Sequence, residues 1–150
     1  TVADDFYGTT HSKINLPVYP DSIIRYTPRF PAAYHLIFNL GEKESDSLYD
    51  ESKLEGKDKY SYFLGGNNPI VTITSSTGEK GRRLLIIKDS YSHCFAPFAV
   101  NHFEETTLID LRYFNLGVQT FLEQEDFTDV LVLYSTANFA DDRNLNTLVK

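Results

Sequence analysis

The stretch Arg82 to Phe98, RRLLIIKDSYSHCFAPF, decides how the chain is read. Leu84 to Ile87 are consecutive branched apolar residues, too short a run to cross a membrane and typical of a strand buried on both faces of a parallel sheet. The strand is predicted to end at Lys88-Asp89-Ser90, where a helix begins. Ligands of open α/β sheets sit at the carboxyl ends of strands. A hydroxyl placed there is either a candidate nucleophile or simply the cap of the next helix.

Working outward, apolar residues at Phe95, Phe98, Ala99, His102 and Phe103 have the spacing of one helical face. Pro97 fits only in a first turn, which starts that helix near Ser92 to Cys94. Thr106 to Leu111 reads as the next strand, and Leu116 to Gln124 as a helix burying Val118, Phe121 and Leu122. Val130 to Tyr134 reads as a third buried strand, and a last short helix is expected from Asp141 onward. With right-handed crossovers this alternation predicts an α/β domain, a parallel sheet covered by helices in three layers. Its strand ends bring Asp89-Ser90, Asp110 to Arg112 and Asn138 to one rim.

The preceding residues read differently. Residues 1–40 are polar and broken by Pro17, Pro20, Pro28 and Pro31, which predicts an extended arm with edge strands at Ser22–Tyr26 and Tyr34–Asn39. Gly41 to Lys59 is charged and turn-rich, with one helical turn expected at Ser45–Leu48. The α/β core is assigned to residues 54–150, beginning with a short helix over Asp58–Leu64. Gly65-Gly66-Asn67-Asn68-Pro69 then stops that helix, either as a plain cap or as a source of backbone N–H groups at close approach. Ile70 to Thr74 alternates like a strand.

Composition fits one domain of 150 residues, with 41% apolar and 14% aromatic residues. Ten Tyr and eleven Phe exceed what packing alone requires, and such rings also line carbohydrate clefts. A formal charge of −7 argues against binding a phosphate backbone, so nucleic acid is not an expected partner. Cys94, the single cysteine, excludes an internal disulfide and reads as a buried small hydrophobe beside Phe95, Ala96 and Phe98. No His, Cys or carboxylate cluster has metal-ligand spacing, and no metal or cofactor is expected. The chain opens at Thr1 and holds no methionine, so a processed protein or a piece of a longer one is expected, its targeting signal lying in the preceding part.

Four stretches together resemble one family: DDFYGT at Asp4–Thr9, LEGKDKYSYFLGGNNP at Leu54–Pro69, LLIIKDSYSHCFAPF at Leu84–Phe98, and LIDLRYF at Leu108–Phe114. They are similar to the DHHW family of Gram-positive bacteria, a branch of the SGNH hydrolase-like superfamily related to alginate-type O-acetyltransferases. The resemblance implies a three-layer SGNH or flavodoxin-like fold, here incomplete. It implies that Asp89-Ser90 is the Asp-Ser of the Gly-Asp-Ser block, with Lys88 in the glycine's place and Ser90 the nucleophile that takes an acyl group. Backbone amides around Ser90 and Tyr91 would then stabilise the oxyanion, with Asn138 as the later asparagine donor. Gly66 and Asn67 are candidate donors on the other wall. Arg112 either forks onto a substrate anion or pairs with Asp110 or Asp89.

The branch's Asp and His partners belong to an upstream Asp-His-His-Trp motif, and this sequence has no tryptophan. A serine hydroxyl without a base is a weak nucleophile, so this chain alone is expected to be inactive. Of the histidines, His93 sits near Ser90 but on the same element, His102 is expected to be packed, and His11 and His35 show no obvious carboxylate partner. The implied activity is an extracytoplasmic acyl esterase or O-acetyltransferase acting on a cell-wall or surface polysaccharide, with any membrane contact made by segments outside this chain. The alternative is a noncatalytic domain that binds an acylated glycan or assists polymer assembly. Phosphate or nucleotide binding is disfavoured because no phosphate-cradling loop follows the first buried strand. The sequence leaves the oligomeric state open.

Overall fold

A computed structural model describes residues 1–14 and 16–148. In chain order its strands are β1 Ala3–Phe6, β2 Asp21–Ile23, β3 Tyr34–Phe38, β4 Lys43–Ser45, β5 Ile70–Ser75, β6 Glu79–Lys88, β7 Phe103–Ile109 and β8 Asp129–Leu133. The α-helices are short: α1 Thr9–Ile14, α2 Ala96–Ala99, α3 Val118–Gln124 and α4 Thr136–Asp141. Several 3-10 turns complete the framework, among them Lys59–Tyr62 and Ser90–Cys94.

Strands β3 to β8 form a six-stranded sheet in the order β4-β3-β5-β7-β6-β8. β6 pairs in parallel with β7 and β8, whereas β5–β7, β3–β5 and β3–β4 are antiparallel. The expected parallel three-layer α/β domain is therefore corrected to a mixed, mostly β architecture with few helices. The parallel reading holds for β7-β6-β8 and fails beyond it, because period-two alternation fixes a strand's faces but not its direction. β5 and β6 are consecutive yet not neighbours, since β7 lies between them. The turn joining them passes so close to the start of β7 that a Cβ at Gly78 would sit 1.8 Å from the Phe103 carbonyl oxygen. Only glycine fits that approach.

Leu84 to Ile87 of β6 are buried as predicted, and they alternate between two cores. Leu84 and Ile86 join Leu36, Ile73, Leu108 and the α2 side, while Leu85 and Ile87 join Ile70, Ile109, Leu111 and Val118. Burial on both faces explains the uninterrupted apolar run. Cutting one such residue to Ala would remove about 2–5 kcal/mol of stability.

Several local expectations shift. β2 pairs with β1 in a separate two-stranded ribbon, so the arm is partly structured, with Asn15 outside the described residues. β3 is not an edge strand, because β4 pairs with it, and the helical turn expected at Ser45–Leu48 is instead the end of β4 followed by irregular chain. β8 is the edge on the other side and leaves Val130 and Val132 exposed, so it is not a buried strand. The helix after Ser90 splits into a 3-10 turn and α2, which buries Ala96 and Ala99 and leaves Phe95 and Phe98 exposed. Cys94 and His102 are likewise exposed, and His35 has carboxylate partners in Asp46 and Glu44. The C-terminal helix expected from Asp141 is replaced by α4 and a 3-10 turn at Arg143–Leu148; Val149 and Lys150 lie outside the described residues.

Candidate functional site

Strand β6 ends at Lys88, and the chain turns at Asp89 into the 3-10 turn Ser90–Cys94. Asp89 is wholly buried, and its carboxylate gathers neutral donors from two strand ends. Oδ1 accepts from the Tyr91 N–H at 2.9 Å, capping the turn. Oδ2 accepts from the Ser135 N–H at 2.9 Å and from Asn138 Nδ2 at 2.7 Å, tying the turn to the loop after β8. Burial pushes the carboxyl's pKa up, but these bonds outweigh it and leave it below its ordinary value.

Ser90 lines a cavity of about 560 Å3 with Phe6, Tyr7, Tyr60, Tyr91 and His93. Phe6 and Tyr7 come from the arm, so that segment forms one wall. Tyr60 also holds the turn: its hydroxyl donates to the Ser90 carbonyl at 3.0 Å and the Tyr91 carbonyl at 3.3 Å. Its ring stacks on His93 at a centroid distance of 6.1 Å and on Phe6 at 6.2 Å. Burial holds the Tyr60 phenol above its ordinary pKa, so it remains a donor at neutral pH.

Below the turn lies a second buried set. Asp110, at the end of β7, is wholly buried and receives a bidentate grip from Arg112, Nε to Oδ1 at 2.8 Å and Nη2 to Oδ2 at 2.7 Å. Lys88 Nζ lies 3.3 Å from Asp110 Oδ2 and 2.8 Å from His93 Nε2. Burial raises the Asp110 pKa, but Arg112 and Lys88 more than offset this and hold it below the usual carboxylate range. Burial lowers the Lys88 pKa, with Asp110 opposing. Burial and then the Lys88 charge bring His93 down to about 3.

The structure thus brings Ser90, Tyr91, Gly66 and Asn67 to one cavity and sets Asp89, Asn138 and Arg112 to other tasks. Asn138 engages Asp89, and Arg112 engages Asp110 rather than open solvent at the cavity. The Tyr91 N–H is bonded to Asp89 and the Gly66 N–H to the Phe63 carbonyl, so neither stands free as an oxyanion donor. Gly66 has a positive φ of 97°, and a Cβ there would lie 2.7 Å from Ser61 Oγ. Its glycine is needed to close the turn under the cavity. Asn67 is exposed at the rim. Sequence reading missed Tyr60 and the Lys88–His93 pair. A lysine closing an apolar strand was the available signal.

The family model described as DHHW protein matches residues 1–109, and the chain belongs to that family. A crystal structure of a DHHW family protein from Eubacterium siraeum is similar, with a TM-score of 0.77 and 26% identity over 97% of this chain and 50% of that one. Bacillus cereus PatB1 with a sulfonyl adduct is similar at a TM-score of 0.67 and 19% identity, covering 91% of this chain and 46% of PatB1. A further PatB1 structure gives 0.56 and 21%, covering 71% of this chain and 36% of PatB1. The PatB1 likeness is one of fold. The chain spans half or less of the length of these solved structures. No curated protein matches the sequence.

Proposed function

We propose that this DHHW-family chain carries the serine side of an acyl-transfer site, with Ser90 the nucleophile of an esterase or O-acetyltransferase of the SGNH hydrolase-like kind. The substrate is a cell-wall or surface polysaccharide outside the cytoplasm. The observation that carries the reading is the placement of Ser90. It follows the end of the parallel strand β6, is fixed by the Asp89 cap and the Tyr60 clamp, and lines an aromatic-walled cavity large enough for a sugar ring. The sulfonyl adduct on PatB1 is compatible with the same chemistry, since sulfonylating reagents attach to nucleophilic groups. Among the described residues no histidine is hydrogen-bonded to Ser90, so the base is assigned to an upstream Asp-His-His-Trp block of the longer family protein.

The test joins this chain to such a block and measures p-nitrophenyl acetate hydrolysis, acetyl transfer to a polysaccharide, and sulfonyl fluoride labelling of Ser90, with Ser90→Ala as control. Loss of activity and label in Ser90→Ala is expected. Activity that survives the substitution removes the mechanism, and transfer without appreciable hydrolysis makes the protein a transferase. A second reading, noncatalytic glycan binding, is favoured by the aromatic lining from Phe6, Tyr7, Tyr60 and Tyr91. Measurable binding with neither activity nor label supports it.

A further inference from the structure

Lys88 and Asp110 have side-chain exposures of 1% and 0%, and His93 is 2% exposed. Their charges close locally: Arg112 and Lys88 stand against Asp110 and Asp89, the last acting on Lys88 through space. The ion pair with Asp110, 3.3 Å away, favours the ammonium form of Lys88, which has three donors and no acceptor. His93 Nε2, 2.8 Å away, must accept from it. The ring proton is then placed on Nδ1, and the imidazole has no free lone pair with which to serve as a base.

That Nδ1 has no hydrogen-bond partner among the described residues, although it is fully buried. Unpaired buried donors are rare enough in folded proteins to require an explanation. The turn Ser90–Cys94 is a 3-10 helix, in which residues three apart eclipse one another, so Ser90 and His93 share a side. Both line the same cavity.

We propose that His93 is a hydrogen-bond donor to the acyl group on Ser90. Its Nδ1–H is taken up by an oxygen that arrives with that group, and Lys88, backed by Asp110 and Arg112, is the positioning residue that fixes the donor tautomer. The donor role rests on the acyl-transfer reading, whereas the tautomer does not. It also gives the site a donor where the Tyr91 and Gly66 amides are already engaged.

Two measurements separate the parts, the first on the 150-residue protein and the second on that chain joined to the upstream block that supplies the base. Long-range proton–nitrogen correlation NMR at neutral pH should find His93 as the Nδ1–H tautomer. An Nε2–H or doubly protonated ring overturns the inference whatever the activity. In Lys88→Met the ring should shift toward Nε2–H, and Lys88→Arg should restore Nδ1–H; an unmoved tautomer in Lys88→Met refutes the positioning role. Should Lys88→Met not fold, Lys88→Arg and the unsubstituted protein still decide the tautomer.

The second measurement uses methanesulfonyl fluoride, with peptide mass at Ser90 as an independent readout. On labelling, the His93 Nδ1 proton should move downfield as it gains a sulfonyl oxygen. Labelled Ser90 with an unmoved His93 proton sinks the inference alone. Failure to label Ser90 even at high reagent concentration counts against the acyl-transfer reading and removes the donor role with it, leaving the tautomer result standing. His93→Phe should slow labelling on the order of 100-fold, the usual cost of one lost oxyanion donor, and His93→Asn should slow it less because the amide still donates.

Discussion

Two aspartates, Asp89 after β6 and Asp110 after β7, sit at the ends of adjacent parallel strands, both with no exposed surface, yet they are satisfied in opposite ways. Asp89 is met by neutral groups: two backbone N–H groups and the Asn138 amide. Asp110 is met by two cations, Arg112 and Lys88. The neutral corner positions backbone, holding the Ser90 turn against the loop after β8. The charged corner positions a side chain, because its second cation reaches on to His93. A buried carboxylate can thus serve as a brace or as one end of a relay, and its donors decide which.

The sharpest break of this contrast is Asp110→Asn. It leaves two cations without the carboxylate they contact, and Lys88 has no solvent to turn to. A loss of about 3–5 kcal/mol is expected, the range for removing one partner of a buried pair, read by urea unfolding. Asp89→Asn keeps one carbonyl acceptor and loses the charge on bonds to neutral donors, so about 2–3 kcal/mol is expected. Equal losses from the two substitutions would mean that the distinction between brace and relay has no energetic content.

Acid sharpens the comparison in a different way. Both carboxyls have folded pKa values below ordinary, so their contribution is present above about pH 4, the unfolded value, and fades only as pH falls through the folded ones. His93 acts earlier. Its folded pKa of about 3 lies below the ordinary histidine value of about 6.5, so the neutral ring is favoured by folding. That stabilisation is intact above the unfolded pKa and is lost as pH falls toward the folded one. Between roughly pH 6.5 and 5 it should drain about 2 kcal/mol, at about 1.4 kcal/mol per pH unit. Urea midpoints measured across that window should fall in the unsubstituted protein and stay nearly flat in His93→Phe. A flat profile in both would detach His93 from the charged corner.

How much of this was legible beforehand follows from what a linear pattern can carry. The apolar run Leu84–Ile87 announces a doubly buried strand, which the structure shows, and the candidate Asp-Ser turn after it adjoins a cavity. Val118, Phe121 and Leu122 likewise marked the packed face of α3. The direction of β5 was not readable, because Ile70–Ser75 alternates the same way whichever way its neighbour runs. Asn138 was singled out for the rim, but its partner is the Asp89 carboxylate rather than an oxyanion. Pairing of that kind depends on two loops meeting. The Lys88–His93 contact was hidden because strand geometry ends and 3-10 geometry begins between the two residues, so neither periodicity predicts that they face each other.

The mildest test concerns the wall that both corners share. Tyr60 is connected to the neutral corner through its hydroxyl, which bonds to the Ser90 and Tyr91 carbonyls, and to the charged corner through its ring, which stacks on His93. Tyr60→Phe removes the first connection and keeps the second. The two carbonyls adjoin the cavity, where water can replace the lost donor, so a loss of only about 1 kcal/mol is expected. If the neutral corner acts as a brace, amide exchange should quicken in the Ser90–Cys94 turn and leave the His93 tautomer unchanged. If the tautomer moves as well, the ring and the hydroxyl are not separable, and the two corners form one coupled unit rather than two.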